Sequence, residues 1–347
     1  MSENRSFFKD TVERILTDTL DKTDIDAAEE RRLPAGLYDA LIENGITLML
    51  VSEEQGGIGA SVADAAVILR AAGAAAAPGP LLETMLGQAL LAQAGLDPAD
   101  GLLSLAFVDG LALPGEGETA WTDAILYDVV WPEAVGHVLI VARTDDGARL
   151  IVTSASDWTV APGTDAAGEP RDTLTAASIA VMSKRLHDYD ALLRTAAILR
   201  AAQMLGAIDW SFRRSVEYTS ERKQFGREIG KFQAIQQMLA ELADHVLASA
   251  GITDAAAEGL NATLIAAARS RLADAADATI TIAHQVHGAI GFSLEYALNA
   301  RTRRLMAWRD DFGSVPYWRR TLAQGFAGLS REAFWPAVSD AGLPTAA

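Results

Sequence analysis

Arg222-Lys-Gln-Phe-Gly-Arg-Glu-Ile-Gly-Lys-Phe-Gln233 interrupts a long helical pattern, and Gln285-Val-His-Gly-Ala-Ile-Gly-Phe-Ser-Leu-Glu-Tyr296 interrupts the next one about fifty residues later. Each stretch sets a cation or amide donors beside a glycine break between helical segments. Donors placed at helix ends in this way are what an extended, phosphate-bearing cofactor requires. The two stretches therefore predict helices packed lengthwise, with a cofactor contact at their ends.

Working outward, Asp188 or Asp190 is placed to cap a helix reaching Ser220. Helical spacing then continues over about Lys231 to Ala250, Asp254 to His287 and Leu294 to Trp308, with a shorter segment from Val315 to Gly325. Four long amphipathic helices predict a bundle. Near the N-terminus, Phe7, Phe8, Val12, Ile15, Leu16 and Leu20 recur at helical spacing, Pro34 opens a second helix, Ser61 is placed to cap a third running to Gly73, and Pro80 starts a fourth toward Ala94. Between these helical ends the period changes. Leu103 to Val108, Ala124 to Val130, His137 to Val141 and Leu150 to Val152 are short apolar runs separated by turn signals at Asp109-Gly110, Pro114-Gly115, Asp145-Asp-Gly147 and Pro162-Gly163. That pattern predicts an antiparallel β-domain ending near Met182. The expectation is an α+β multidomain chain: an N-terminal helical domain over 1–101, a central antiparallel β-domain over 102–183, and a C-terminal four-helix bundle over 184–347.

Composition narrows the function classes. With 46 acidic against 29 basic residues the net charge is -17, which repels nucleic acid and anionic membrane, so neither is an expected partner. There is no cysteine, which excludes disulfides, thiolate metal sites and thiol nucleophiles and fits a reducing cytoplasm. The polar start from Met1 to Asp10 and the lack of an apolar run of about eighteen residues predict a soluble, cytoplasmic protein. His284 and His287 share a helix face but have no acidic or cysteine partner at local spacing, so they are read as structural rather than metal-binding.

The pattern Tyr218-x-x-x-Arg222-x-x-Phe225-Gly226, Phe232-Gln233, Leu239-Ala-Glu-Leu-Ala243, Gln285-x-x-Gly288-x-x-Gly291-Phe292 and Glu295-Tyr296 resembles the flavin-dependent acyl-CoA dehydrogenases. The likeness is strong from about Asp190 to Leu329, extends over the first hundred residues, and is weak between. It implies the three-domain plan, FAD as cofactor, an acyl-CoA substrate and an electron-transfer acceptor. It also implies that Arg222, Phe225 and Gln233 meet an FAD held mainly by a neighbouring subunit. Gln224 is a flanking amide donor, and Gln285, Gly288 and Ala289 approach the adenine-side phosphates, Ala289 replacing the more usual second glycine. The alternative reading of Arg222 is an exposed cation paired with Glu221 or Glu228. The Arg301, Arg303, Arg304 and Arg309 cluster either binds coenzyme A phosphates or, as is favoured, pairs with Asp310, Asp311 or Glu295.

α,β-Dehydrogenation of a thioester needs a carboxylate to take the α proton. The resemblance implies a Glu at one of two places. One is occupied here by Ala196, and the other falls in Trp308-Arg-Asp-Asp-Phe-Gly-Ser314, where Asp311 and Asp310 are the candidate catalytic residues. The family's flavin-ring segment has no convincing counterpart in Phe107 to Gly115 or Ala120-Trp-Thr122. A chain with the phosphate half of the site and without the ring half suits one subunit of a heteromer. The resemblance, to the paired dehydrogenases of steroid-degrading bacteria, implies an α2β2 assembly acting on a bulky acyl-CoA such as a steroid side-chain thioester. The alternatives are a self-sufficient homotetramer using Asp310 or Asp311, and a flavin-free structural subunit.

Overall fold

The computed structural model describes residues 3–110, 113–114 and 118–340, so the expected turn at Pro114-Gly115 and the run from Phe107 to Gly115 lie partly outside the described residues. The chain divides into two compact units, the first comprising residues up to Ala65 and Ala77–Ala196, the second Ala66–Ala76 and the chain from Ala197 onward.

In the first unit, helix α1 (Glu3–Thr19) buries Val12, Ile15 and Leu16. Helix α2 (Lys22–Ala27) starts with a reciprocal capping box between Asp21 and Asp24. Helix α3 (Ala35–Glu43) follows Pro34 and buries Leu37, Tyr38 and Leu41. Helix α4 (Val62–Ala75) begins with a second box, in which the Ser61 and Asp64 side chains each accept from the other's backbone N–H. Helix α5 (Leu81–Gln93) is buried on nearly every side, which explains its weak amphipathic pattern.

Among the described residues seven strands follow: β1 (Leu103–Val108), β2 (Ala120–Val130), β3 (His137–Thr144), β4 (Gly147–Ser154), β5 (Thr159–Ala161), β6 (Arg171–Ala180) and β7 (Met182–Leu186). They form two sheets, ordered β1-β3-β4-β7 and β2-β6-β5. All their pairings are antiparallel except one. β1 and β3 run parallel, Leu103 opposite His137, because the chain leaves the first sheet to form β2 in the second before returning. Trp121, Leu126, Val138, Ile140, Ile151, Trp158 and Leu174 interleave in the core between the strands. Arg31 joins helices to strands here: its guanidinium donates to Asp172, which is fully buried, at 2.6 and 3.1 Å and to Glu133 at 2.7 Å.

The second unit is helical. Helix α6 (Tyr189–Glu221), whose N-terminus Asp188 caps by accepting from Ala191 N, carries a continuous buried run from Ala196 to Ile208. By length and composition α6 could cross a bilayer, but 78% of its most apolar stretch is buried inside the protein, as in a core helix. A Cβ on Gly206 would lie 1.9 Å from the Arg70 carbonyl oxygen, and one on Gly73 would lie 1.9 Å from that of Gln203. Backbone therefore touches backbone where α4 crosses α6.

A short hairpin of β8 (Lys223–Gln224) and β9 (Arg227–Glu228) leads to α7 (Gln233–Gly259) and then to α8 (Ala262–His287). The expected break between Ala250 and Asp254 is absent. The helix runs through Gly251 because Ser249, Thr253, Ala256 and Ala257 are buried, and that packing outweighs the roughly 1 kcal/mol helix cost of one glycine. The real break is at Leu260, in the left-handed region, and Asn261, whose side chain caps α8 by accepting from Thr263 N and Leu264 N. A 3₁₀ turn over Gly288–Phe292 precedes α9 (Ala297–Trp308), α10 (Val315–Phe326) and α11 (Arg331–Asp340).

Candidate functional site

The end of α6 carries the first cluster. Phe225 and Gly226 both have positive φ, +50° and +79°, the pair of left-handed residues that a tight two-residue hairpin demands. The turn holds the Phe225 ring 91% exposed, edge-on to Phe232, while the Arg227 guanidinium sits 4.1 Å over the other ring. Phe225 thus holds an exposed aromatic ring in a backbone region that disfavours a Cβ. Arg222 is exposed, and among the described residues its guanidinium has no hydrogen bond or ion pair. The two acids offered as its alternative partners are taken: Glu221 pairs with Arg214 and Glu228 with Lys231. Gln224 and Gln233 are also exposed, and no side chain caps α7, whose first turn thus presents open N–H groups beside Arg222.

The end of α8 carries the second cluster. Gln285 is exposed, and Gly288 ends the helix at φ +66°, ψ −145°, a conformation essentially restricted to glycine, with open space where a Cβ would be. Ala289 is exposed in the same turn. The two clusters are joined by aromatic stacking. Tyr218, one turn before Arg222, stacks on His287 at 4.4 Å and 24°, and Arg214 Nε donates to the Tyr296 hydroxyl at 2.9 Å. A guanidinium, three side-chain amides, an uncapped helix N-terminus and a glycine turn suit a dinucleotide's pyrophosphate and adenosine. The donor set fits the phosphate half of FAD.

His284 and His287 are hydrogen-bonded and stacked within that end. His287 Nδ1 donates to the Ala283 carbonyl at 2.8 Å, leaving Nε2 bare and buried, and His284 Nε2 bonds Thr302 Oγ1 at 2.9 Å while its ring stacks on Phe292. Burial pushes both imidazoles below the ordinary value of 6.5; for His287 the bond to the Ala283 carbonyl opposes that push, and the charges of Arg214 and His284 add weakly to it. The unfolded chain therefore takes up protons that the folded chain refuses, so stability is full above about pH 6.5 and falls as the pH drops below it. Urea denaturation at about pH 7.5 and about pH 5.5 is expected to show a lower midpoint in acid and a smaller difference in His287→Phe. Equal midpoints in the native chain would contradict it.

The candidate bases lie elsewhere. Asp310 is exposed; its Oδ1 accepts from Val315 N at the start of α10 and its Oδ2 lies 3.4 Å from Arg309. Asp311 is nearly buried, with Oδ2 3.1 Å from Arg200 Nε, an ion pair not aligned as a hydrogen bond. Arg269, wholly buried on α8, donates to the carbonyls of Arg309 and Asp311 at 2.9 and 2.8 Å, and Arg200 lies 5.5 Å from both the Trp308 and Phe312 ring centres. Burial lowers the Arg269 guanidinium to about 10, partly offset by Asp311. Two arginines thus clamp the 308–314 loop. Both were overlooked in the sequence, although an arginine inside an alanine and leucine run of a core helix is the signal that marks them. Ala196 is fully buried. The 12-residue α9 separates Tyr296 from this loop by about 18 Å, so the structure does not bring Asp310 and Asp311 together with the Arg222 cluster.

The other candidates are structural. Arg301 stacks 3.9 Å over Trp210 and donates to the Ala74 and Ala297 carbonyls, and burial lowers it to about 9. Arg304 donates to the Ala300 carbonyl, and Arg309 pairs with Asp277 and Asp310. In the first unit, Phe107 packs edge-on to Tyr189, and Trp121 lies buried against Trp158. Among the described residues no cluster of three His, Asp or Glu side chains is arranged to hold a metal.

Comparison with known proteins identifies the family. Residues 190–325 match the profile of the acyl-CoA dehydrogenase C-terminal domain and residues 2–97 that of the N-terminal domain. The acyl-CoA dehydrogenase IpdE2 of Mycolicibacterium smegmatis is 30% identical over 310 residues, 88% of this chain and 93% of that protein. Among solved structures, the ChsE4-ChsE5 complex from Mycobacterium tuberculosis superposes with a TM-score of 0.85 at 21% identity, covering 95% of this chain and 99% of that one. A variant of the Tcur3481-Tcur3483 steroid acyl-CoA dehydrogenase does so at 0.81 and 20%, covering 93% and 97%. At those identities the structural likeness speaks for the fold. The chain belongs to the acyl-CoA dehydrogenase family of FAD-dependent oxidoreductases.

Proposed function

We propose that this chain is one subunit of a heteromeric acyl-CoA dehydrogenase, in which it completes the phosphate half of an FAD site whose flavin-ring half belongs to a second acyl-CoA dehydrogenase-like subunit. The observation that carries this reading is the contrast between the two ends of the bundle. Among the described residues Arg222 stands exposed and unpaired near an uncapped helix, whereas Ala196 carries no carboxylate, Asp310 accepts from Val315 N and Asp311 faces Arg200. When bound, FAD supplies the two-electron oxidant for α,β-dehydrogenation of an acyl-CoA thioester. This chain's part is binding. Arg222 would bridge the pyrophosphate with its planar fork, Gln224, Gln233 and Gln285 would donate amide N–H groups, and the Gly288 turn would admit backbone close to the adenosine. Phe225 would cover the dinucleotide from water.

The α proton needs a free carboxylate. Ala196 offers none, Asp310 accepts from the Val315 N–H at the start of α10, and Asp311 is committed to Arg200. The base is therefore assigned to the partner. The reading of a bulky, steroid-type acyl-CoA substrate draws support from the steroid dehydrogenase that shares this fold, and the reading of a two-chain assembly draws support from the ChsE4-ChsE5 complex. The test is the flavin absorbance of the purified protein. Colour only after co-expression with a family member encoded nearby is the expected result. A yellow protein purified alone would favour a homotetramer, and no flavin in either preparation would sink the proposal.

A further inference from the structure

We infer that Arg214 is a positioning residue for the phosphate contact: it ties back and neutralises Glu217 and Glu221, so that Arg222 stays available to an anionic ligand. The inference rests on the reading of Arg222 as a pyrophosphate ligand. The last two turns of α6 place Glu217 and Glu221 five residues and one residue before Arg222, at a helix C-terminus whose dipole already disfavours an anion. Left alone, Glu221 would be the natural partner of the neighbouring guanidinium, and the two carboxylates would repel a pyrophosphate.

Arg214 prevents both. Spacings of three and seven residues put it on the same helix face as the two acids. Its Nη1 donates to Glu217 Oε2 at 3.1 Å and its Nη2 to Glu221 Oε2 at 3.2 Å. Its third edge, Nε, donates to the Tyr296 hydroxyl at 2.9 Å, which fixes the plane of the fork from a different segment. Burial lowers its proton affinity, but the bonds to Glu221, Tyr296 and Glu217 more than reverse that, so the cation persists. The nearest other arginine on this turn, Arg213, is turned to Asp209 at 3.1 Å and does not substitute for it.

The experiment measures FAD dissociation from the flavin-containing assembly, by recovery of flavin fluorescence, with thermal unfolding of each variant recorded alongside. Arg214→Gln is expected to weaken FAD binding about tenfold, the scale of two partly screened charges acting on a dianion, and the deficit is expected to shrink at high salt. Adding Glu221→Gln to that variant is expected to restore most of the loss, because the competing carboxylate is gone. A merely structural Arg214 predicts the same loss with or without Glu221→Gln, and that result overturns the inference. So does an unchanged affinity in Arg214→Gln when Arg222→Gln is weakened, which leaves the reading of Arg222 standing. An unchanged affinity in Arg222→Gln overturns both. Should Arg214→Gln fail to fold, Arg214→Lys retains a cation without the fork; a partial loss that Glu221→Gln rescues is then expected, and a loss without rescue is contrary.

Discussion

Replacing Arg222 with Ala is expected to weaken FAD binding in the assembled protein by about ten- to a hundredfold. The loss is that of a charge-assisted contact of about 1.5 to 3 kcal/mol, at about 1.4 kcal/mol per tenfold. The same change is expected to leave the stability of the chain within about 0.5 kcal/mol of native, because this exposed guanidinium makes no hydrogen bond or ion pair among the described residues. That separation makes the prediction sharp. Equilibrium dialysis with FAD reads the first quantity and urea denaturation the second. Lysine at this position is expected to recover little, since a point charge cannot bridge two phosphate oxygens as a planar fork does. Unchanged FAD retention in Arg222→Ala would reduce the residue to a surface cation.

Asp311→Asn is expected to act in the opposite way, costing about 3 to 5 kcal/mol of stability while leaving chemistry in the folded fraction intact. Side-chain exposure is 3% for Arg200 and 10% for Asp311, so removing the carboxylate leaves a buried guanidinium uncompensated, with the Arg269 cation close by. Replacing Arg200 by Met in the same chain is expected to recover most of the loss, because a packed apolar pair does as well as a buried ion pair. Denaturation of the two single variants and the double variant gives the coupling. The reductive half-reaction gives the chemistry. Substrate is expected to bleach the flavin normally in the Asp311→Asn assembly. A fall of orders of magnitude with flavin and ligand still bound would make Asp311 the base after all.

The helices and the turns at their ends were legible in the sequence because they are local. The 3.6-residue period, the Asp188 and Ser61 caps, and the Phe225-Gly226 and Gly288 breaks all act within a few residues. What could not be read is non-local. The parallel pairing of β1 with β3 depends on a strand contributed to another sheet, and no turn signal records it. Gly251 looked like a terminator, but tertiary burial of its neighbours overrode its propensity. The free state of Arg222 was likewise undecidable from spacing, since Glu221 and Glu228 were equally near in sequence. Only the positions of Arg214 and Lys231 show that both are engaged. Asp310 and Asp311 share a loop and a residue type, yet one accepts a backbone N–H at the surface and the other meets α6 in the interior.

The clamp on the 308–314 loop also bears on how the loop can be redesigned. Arg200 on α6 and Arg269 on α8 converge on a loop reached only after α9, so three distant stretches of sequence must change together if the loop is to carry a free glutamate. Each single change along that route strands a buried cation. Grafting a glutamate-bearing loop alone into this chain is therefore expected to yield an unstable protein, and a designed route replaces both arginines first.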